Sequence, residues 1–218
     1  FKLINPLPYT LHETSGLARH NGRIWSINDS GDKANLYRLS DDWLSIDKTI
    51  RLTNGTNKDW ESLASNDEHL IIADCGNNSG NRRNFELYHI TWQTLEQAPD
   101  LSSYPGTVQH FNYKNQPEKN MPYHHNYDCE AVTLVQQTLW LFSKNWQDGH
   151  TFLYHLALDQ PHQTLSPITR LNIEGLITGA DYNEQNNTLA LVGYTQQRIF
   201  GSAFVWLFEI ENSAIKPD

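Results

Sequence analysis

The chain is poor in the residues that mark common chemistries. Two cysteines, Cys75 and Cys129, and one methionine occur in 218 residues, too few for a thiol-rich metal site or a dense disulfide framework. Basic residues are outnumbered as well: 16 Lys and Arg against 25 Asp and Glu give a formal charge of −9. This argues against a nucleic-acid backbone as partner, which calls for clustered positive charge. No apolar run approaches the length of a membrane span, and no basic-then-apolar leader opens the chain. A chain that begins on Phe1 rather than Met is expected to have been processed or trimmed. The G-x-S-x-G elbow, the H-E-x-x-H pair, the C-x-x-C pair and the phosphate-cradling glycine loop are all missing, which removes the usual signatures of hydrolases, metalloproteases and nucleotide-binding proteins. No helical periodicity rivals the strand-like pattern that fills the chain.

That pattern is a fourfold repeat. Openings at Glu13 (ETSGLA), Glu61 (ESLA), Glu130 (EAVTL) and Gly179 (GADYN) are each followed by the same succession of apolar segments, and a repeat of this size implies one sheet per unit. Second strands read Ile24–Asp29, Leu70–Asp74, Leu139–Lys144 and Leu189–Tyr194. Third strands carry an aromatic at a matching place: Tyr37, Tyr88, Tyr154 and Trp206, 24 or 27 residues past the opening. A polar, alternating fourth strand follows at Asp47–Leu52, Val108–Tyr113 and Ile168–Ile173. The continuous apolar runs suit inner strands buried on both faces, and the alternating ones suit outer, half-exposed strands.

The last unit lacks a fourth strand, and Phe1–Leu7 is a candidate to supply it. Leu7 precedes Glu13 by the six residues that separate Ile173 from Gly179. An N-terminal strand would thus complete the last sheet and close a ring of four-stranded blades without exposed edges. The expected fold is an all-β β-propeller, a single domain over residues 1–218, with seven Trp and ten Tyr to fill its blades.

In a propeller the first strand of each blade lines the central channel, so Glu13, Glu61, Glu130 and Asp181 are expected to converge on one axis. Near them stand Asn28, Asp29 and Asp32, then Asp74, Asn77 and Asn78, and then Lys144, Asn145 and Tyr194. Asp59 and Asp128 each precede a glutamate by two residues. Crowded carboxylates repel one another and call for a counter-cation. Oxygen donors with few His or Cys among them suit Ca²⁺ first, and Mg²⁺ or Mn²⁺ second. Glu13, Asn28, Asp29, Glu61, Asp74, Asn77, Glu130 and Asp181 are the candidate ligands. For any one of them a duller role is available, since Asn28–Asp32 and Asp74–Asn81 also read as turns whose Asx side chains bond to nearby backbone. His124 and His125 lie in a long insertion that leads into Asp128 and could bring a base or ligand to the acidic site. Cys75 and Cys129 follow Asp74 and Asp128 at related places, which fits either a disulfide in an oxidising compartment or two buried thiols.

These residues carry a resemblance. The runs ETSGLA, SINDSGD, DWESLA, IADCGNN, DCEAV, FSKN and TGAD resemble, in order and across essentially the whole chain, the repeat motifs of bacterial β-propeller proteins of unassigned function. That group is distantly similar to calcium-binding propellers such as β-propeller phytases and metal-dependent lactonases. Ser62, Cys75 and Cys129 depart from its pattern, and its members continue into a fifth unit that is not visible in these 218 residues, so either four blades close with Phe1–Leu7 or a fifth blade is missing from the sequence. The resemblance implies a secreted or periplasmic protein with an acidic channel that binds a divalent cation and a small polar or phosphorylated ligand. Were it an enzyme, it would be a hydrolase of an ester, lactone or phosphoester, with Glu61 or Asp128 taking the proton and Lys144 offsetting anionic charge. The other expectation is a non-catalytic module that presents Tyr123 and Tyr127 to a protein or glycan.

Overall fold

The computed structural model describes residues 5–196 and 201–216. Its strands follow the repeat closely. The first sheet contains β1 (Thr14–His20), β2 (Arg23–Asn28), β3 (Asn35–Leu39) and β4 (Ile46–Leu52). Next come β5 (Trp60–Ser65), β6 (His69–Asp74) and β7 (Phe85–Thr91), then a short helix α1 (Trp92–Gln97), β8 (Ser102–Tyr104) and β9 (Thr107–Tyr113). The third stretch holds β10 (Cys129–Val135), β11 (Thr138–Ser143), β12 (Thr151–Ala157), β13 (His162–Leu165) and β14 (Thr169–Leu171). The last comprises β15 (Leu176–Asn183), β16 (Thr188–Tyr194), β17 (Ala203–Glu211) and β18 (Ala214–Ile215). Four sheets result, ordered β1-β2-β3-β4-β8, β13-β9-β7-β6-β5, β10-β11-β12-β14 and β15-β16-β17-β18. The fold class is the all-β, four-bladed β-propeller.

The side-chain pattern explains which strand is inner and which outer. Beyond its first residue β6 is buried along its length, while β4 alternates buried and exposed positions, as strands covered on two faces and on one face should. Two short additions were not expected from the repeat: β8 pairs parallel with β4, and β13 pairs parallel with β9. Both cover the outer edge of a fourth strand, which would otherwise offer free backbone groups to another chain.

Helix α1 was also not anticipated, because six residues are too few to display a period. Its N-cap Thr91 accepts the Thr94 N–H at 3.1 Å. At its other end the Lys48 ammonium donates to the Leu95 and Glu96 carbonyls at 3.1 and 2.9 Å, where cationic donors are favoured. Trp92 and Leu95 anchor it in the core.

The chain divides into two compact units: Phe1–Asp74 with Leu87–Val108, and Cys75–Glu86 with Gln109–Asp218. The first unit is built on Trp25, Ile27, Leu36, Ile50, Trp60 and Ile72. The core of the second is formed by Ala131, Trp140, Phe142, Leu153, Ile177 and Leu191.

The sequence predicts a closing strand at Phe1–Leu7. Phe1–Ile4 lie outside the described residues, residues 5–7 are not in a strand, and the fourth strand of the last sheet is the two-residue β18. The last sheet also differs in burial: Trp206 is 43% exposed, while Tyr37, Tyr88 and Tyr154 in the matching strands are 2–4% exposed.

Candidate functional site

The first two strands of every blade share one irregularity. Pairing skips a residue between Thr14 and Gly16, between Trp60 and Ser62, between Cys129 and Ala131, and between Ile177 and Gly179. The skipped residues are Ser15, Glu61, Glu130 and Thr178. A bulge of this kind turns a side chain out of the ladder and recurs beside functional sites.

This register corrects the alignment expected from the sequence. Glu61 and Glu130 are equivalent, but Glu13 stands two residues earlier, at the place of Asp59 and Asp128. Asp181 stands three residues after the bulge position, at the place of Ala18. The ETSGLA-type match slid by two because a strand's side-chain period is two and its apolar pattern survives such a slip. Accordingly Glu13 is exposed, with its carboxylate 3.8 Å from the His12 ring. Asp181 is exposed and accepts the Tyr182 N–H at 3.0 Å.

Within the first unit, carboxylates do gather. One oxygen each from Asp29, Asp59 and Glu61 lie within 4.8 Å of one another, with Glu61 buried and the other two half-buried. Chain geometry holds them there. Asp29 follows β2, and its N–H donates to the Glu13 carbonyl at 2.9 Å. Asp59 precedes β5, and its N–H donates to the buried Asp74 carboxylate at 3.1 Å, so Asp74 serves the loop backbone. Glu61 is the bulge residue. Two ionised carboxylates at this distance repel by about 3.5 kcal/mol at an effective dielectric constant of about 20, and by about 0.9 kcal/mol in bulk water. Asn28, 2% exposed, lies beside them in the chain. Its amide donates to the Thr10 carbonyl at 2.7 Å and to Asp32 at 3.0 Å, while its carbonyl oxygen is buried with no hydrogen-bond partner. The three carboxylates form a donor set that could hold a hard cation.

The second unit carries a different polar cluster. Glu130, again on a bulge, meets the Lys144 ammonium at 2.9 Å, and both side chains are more than nine-tenths buried. The ammonium lies 4.6 Å from the Trp146 ring centroid and 5.7 Å from that of Tyr194. Burial alone would lower the Lys144 pKa, but the Glu130 carboxylate outweighs it and leaves the ammonium raised above the ordinary lysine value. Asp128 accepts the Trp146 indole N–H at 2.7 Å and the Asn77 N–H at 2.6 Å; burial pushes its carboxyl up, against the pull of these donors. Asn77 is likewise occupied within its loop, donating to the Tyr127 carbonyl at 2.8 Å and accepting the Arg82 N–H at 2.8 Å.

The long insertion folds onto this same loop. Cys75 and Cys129 form a disulfide with Cα atoms 5.2 Å apart. Asn120 donates to the Gly80 carbonyl at 2.9 Å, and the Tyr123 N–H donates to the Asn78 carbonyl at 3.0 Å. Gly80 has φ +72° and no room for a Cβ, which would sit 2.6 Å from Asn120 and 2.7 Å from His125. His125 is buried and takes the Tyr127 N–H at 3.2 Å on its Nδ1, so it packs the loop. Tyr123 is 55% exposed, at φ +57°, edge-on to Trp146 at 5.0 Å.

No family model matches the sequence, and no curated protein matches it. Solved structures match in fold. "Bacteroides ovatus Xyloglucan PUL GH43B" is 8% identical, with a TM-score of 0.55 over 92% of this chain and 42% of that one. "RS223-Beta-xylosidase" is 8% identical, with a TM-score of 0.53 over 93% of this chain and 72% of that one. A Lactobacillus plantarum protein is 15% identical, with a TM-score of 0.50 over 93% of this chain and 53% of that one. The chain spans about half the length of the first and last of these. What it shares with them is the β-propeller fold.

Proposed function

We propose that this protein is a secreted or periplasmic propeller that binds a divalent cation, calcium first, at Asp29, Asp59 and Glu61, and through it a small polar or phosphorylated ligand. The observation that carries this reading is the approach of three carboxylate oxygens to within 4.8 Å of one another in one compact unit. A donor set of oxygens without His or Cys suits calcium first, in keeping with the distant similarity of the motifs to those of calcium-binding propellers. The disulfide supports an oxidising compartment.

A cation held there would polarise an ester, lactone or phosphoester oxygen and activate water. Glu61, on its bulge at the cluster, would take the proton of that water where it does not itself ligate the cation. Asp128 and Lys144 belong to the cluster of the second unit, where they anchor Trp146 and balance Glu130.

Metal analysis of the purified protein, calcium titration of its unfolding midpoint in chelator-treated buffer, and an ester, lactone and phosphoester panel test the reading. Bound calcium and a raised midpoint are expected, with any turnover abolished by Glu61→Gln. Absence of stabilisation by calcium, magnesium and manganese alike would sink it. A second reading, a module that captures a protein or glycan, is favoured by the exposed Tyr123 held in the left-handed region against Trp146, a conformation that costs free energy. Stabilisation by calcium without turnover, together with glycan or protein binding lost on Tyr123→Ala, would select it.

A further inference from the structure

We infer that Asn57 is the positioning residue that holds the two ligand-bearing loops of the proposed cation site together; the inference rests on that site. Asn57 is no candidate ligand, yet its side chain spans the gap between the loops. Its Nδ2 donates to the Asn28 carbonyl at 3.0 Å and to the Asp29 carbonyl at 2.9 Å. Its Oδ1 accepts the Trp60 N–H at 3.1 Å. Both amide protons and the carbonyl oxygen are therefore used, one end on the segment after β2 and the other on the segment that enters β5.

The residues fixed in this way are the ones the cation needs. Asp29 offers a carboxylate to the cluster. Asp59 and Glu61 flank Trp60 on either side. Mutual repulsion of three carboxylates pushes these segments apart. Asn57 opposes that separation with neutral hydrogen bonds made to backbone, so it restrains the donors without competing for the cation. Outer groups that fix ligand orientation in this way commonly change metal affinity by about 10–100-fold when removed.

The experiment compares wild type with Asn57→Ala and Asn57→Ser, reading Ca²⁺ affinity by calorimetry and Tb³⁺ luminescence, and the urea midpoint in EDTA. Serine keeps a hydroxyl for the Trp60 N–H but is too short to reach both carbonyls. It preserves the test should alanine fail to fold. Calcium affinity is expected to fall by about 10–100-fold in either variant, in addition to any fall in the EDTA midpoint from the lost hydrogen bonds. A residue serving the fold alone would lower the EDTA midpoint and leave affinity intact. Wild-type binding with variant affinity within about threefold of it overturns the role of Asn57 and leaves the site standing. Failure of wild type to bind Ca²⁺ or Tb³⁺ removes the site and the inference together.

Discussion

Neutralising Asp29 should invert the order of stability between two buffers. Asp29 has an oxygen within 4.8 Å of oxygens of both Asp59 and Glu61, so Asp29→Asn removes two repulsive pairs. Asp29 and Asp59 are half-buried, and solvent screening brings each pair toward the aqueous limit of about 1 kcal/mol. The variant should therefore be about 2 kcal/mol more stable than wild type in EDTA. Asparagine keeps the side-chain oxygen that accepts the Ser30 N–H, so the local turn is retained. In calcium at about 100 times its dissociation constant, wild type gains about 2.7 kcal/mol by mass action. A variant that no longer binds gains nothing, and wild type should lead by about 0.7 kcal/mol. Urea denaturation of both proteins, in EDTA and in calcium, measures all four values. Two results would refute the reasoning: a variant less stable than wild type in EDTA, which would make Asp29 a structural residue, or equal calcium stabilisation of both proteins.

Two further outcomes concern the second unit. Removing the disulfide by Cys75→Ala with Cys129→Ala should cost about 4 kcal/mol of denaturant stability, from the loop entropy of a 54-residue separation; a loss below about 1 kcal/mol would count against the bridge. Glu130→Gln strands the buried Lys144 ammonium and should cost about 3–5 kcal/mol, whereas replacing both residues, by Leu and Met, should restore most of it. Because the folded pKa of Lys144 is raised above 10.5, the pair's stabilisation is fully present below that pH and is lost as pH climbs through the raised value. The stability gap between wild type and Lys144→Met should accordingly stay level from about pH 7 to 9 and shrink only in stronger alkali, which a denaturation series across pH reads directly.

Fold and site were legible to different degrees. Periodicity placed the second, third and fourth strands within a few residues, since alternation and apolar runs are properties of the chain itself. The edge strands β8 and β13 and helix α1 were not legible, because each is short and is selected by the neighbour it covers. Asp29, Glu61 and Asn28 were expected at an acidic site from their repeat positions, and Asp59 from its spacing to Glu61. The equivalence of Glu13 with Glu61 and Glu130 failed because a slip of two residues leaves a strand's alternating pattern unchanged. Trp206 matches Tyr37, Tyr88 and Tyr154 in sequence, yet it is exposed where they are buried.

The sequence by itself determined the succession of main strands, the blade type and the excess of acid, all of which follow from side-chain chemistry taken along the chain. Tertiary structure alone decided that Lys144 neutralises Glu130, that Asp59 joins Asp29 and Glu61, and that Asn57 spans their loops. Electrostatic and hydrogen-bonding energies depend on distances of a few ångströms between residues far apart in the chain, and register shifts and loop packing set those distances.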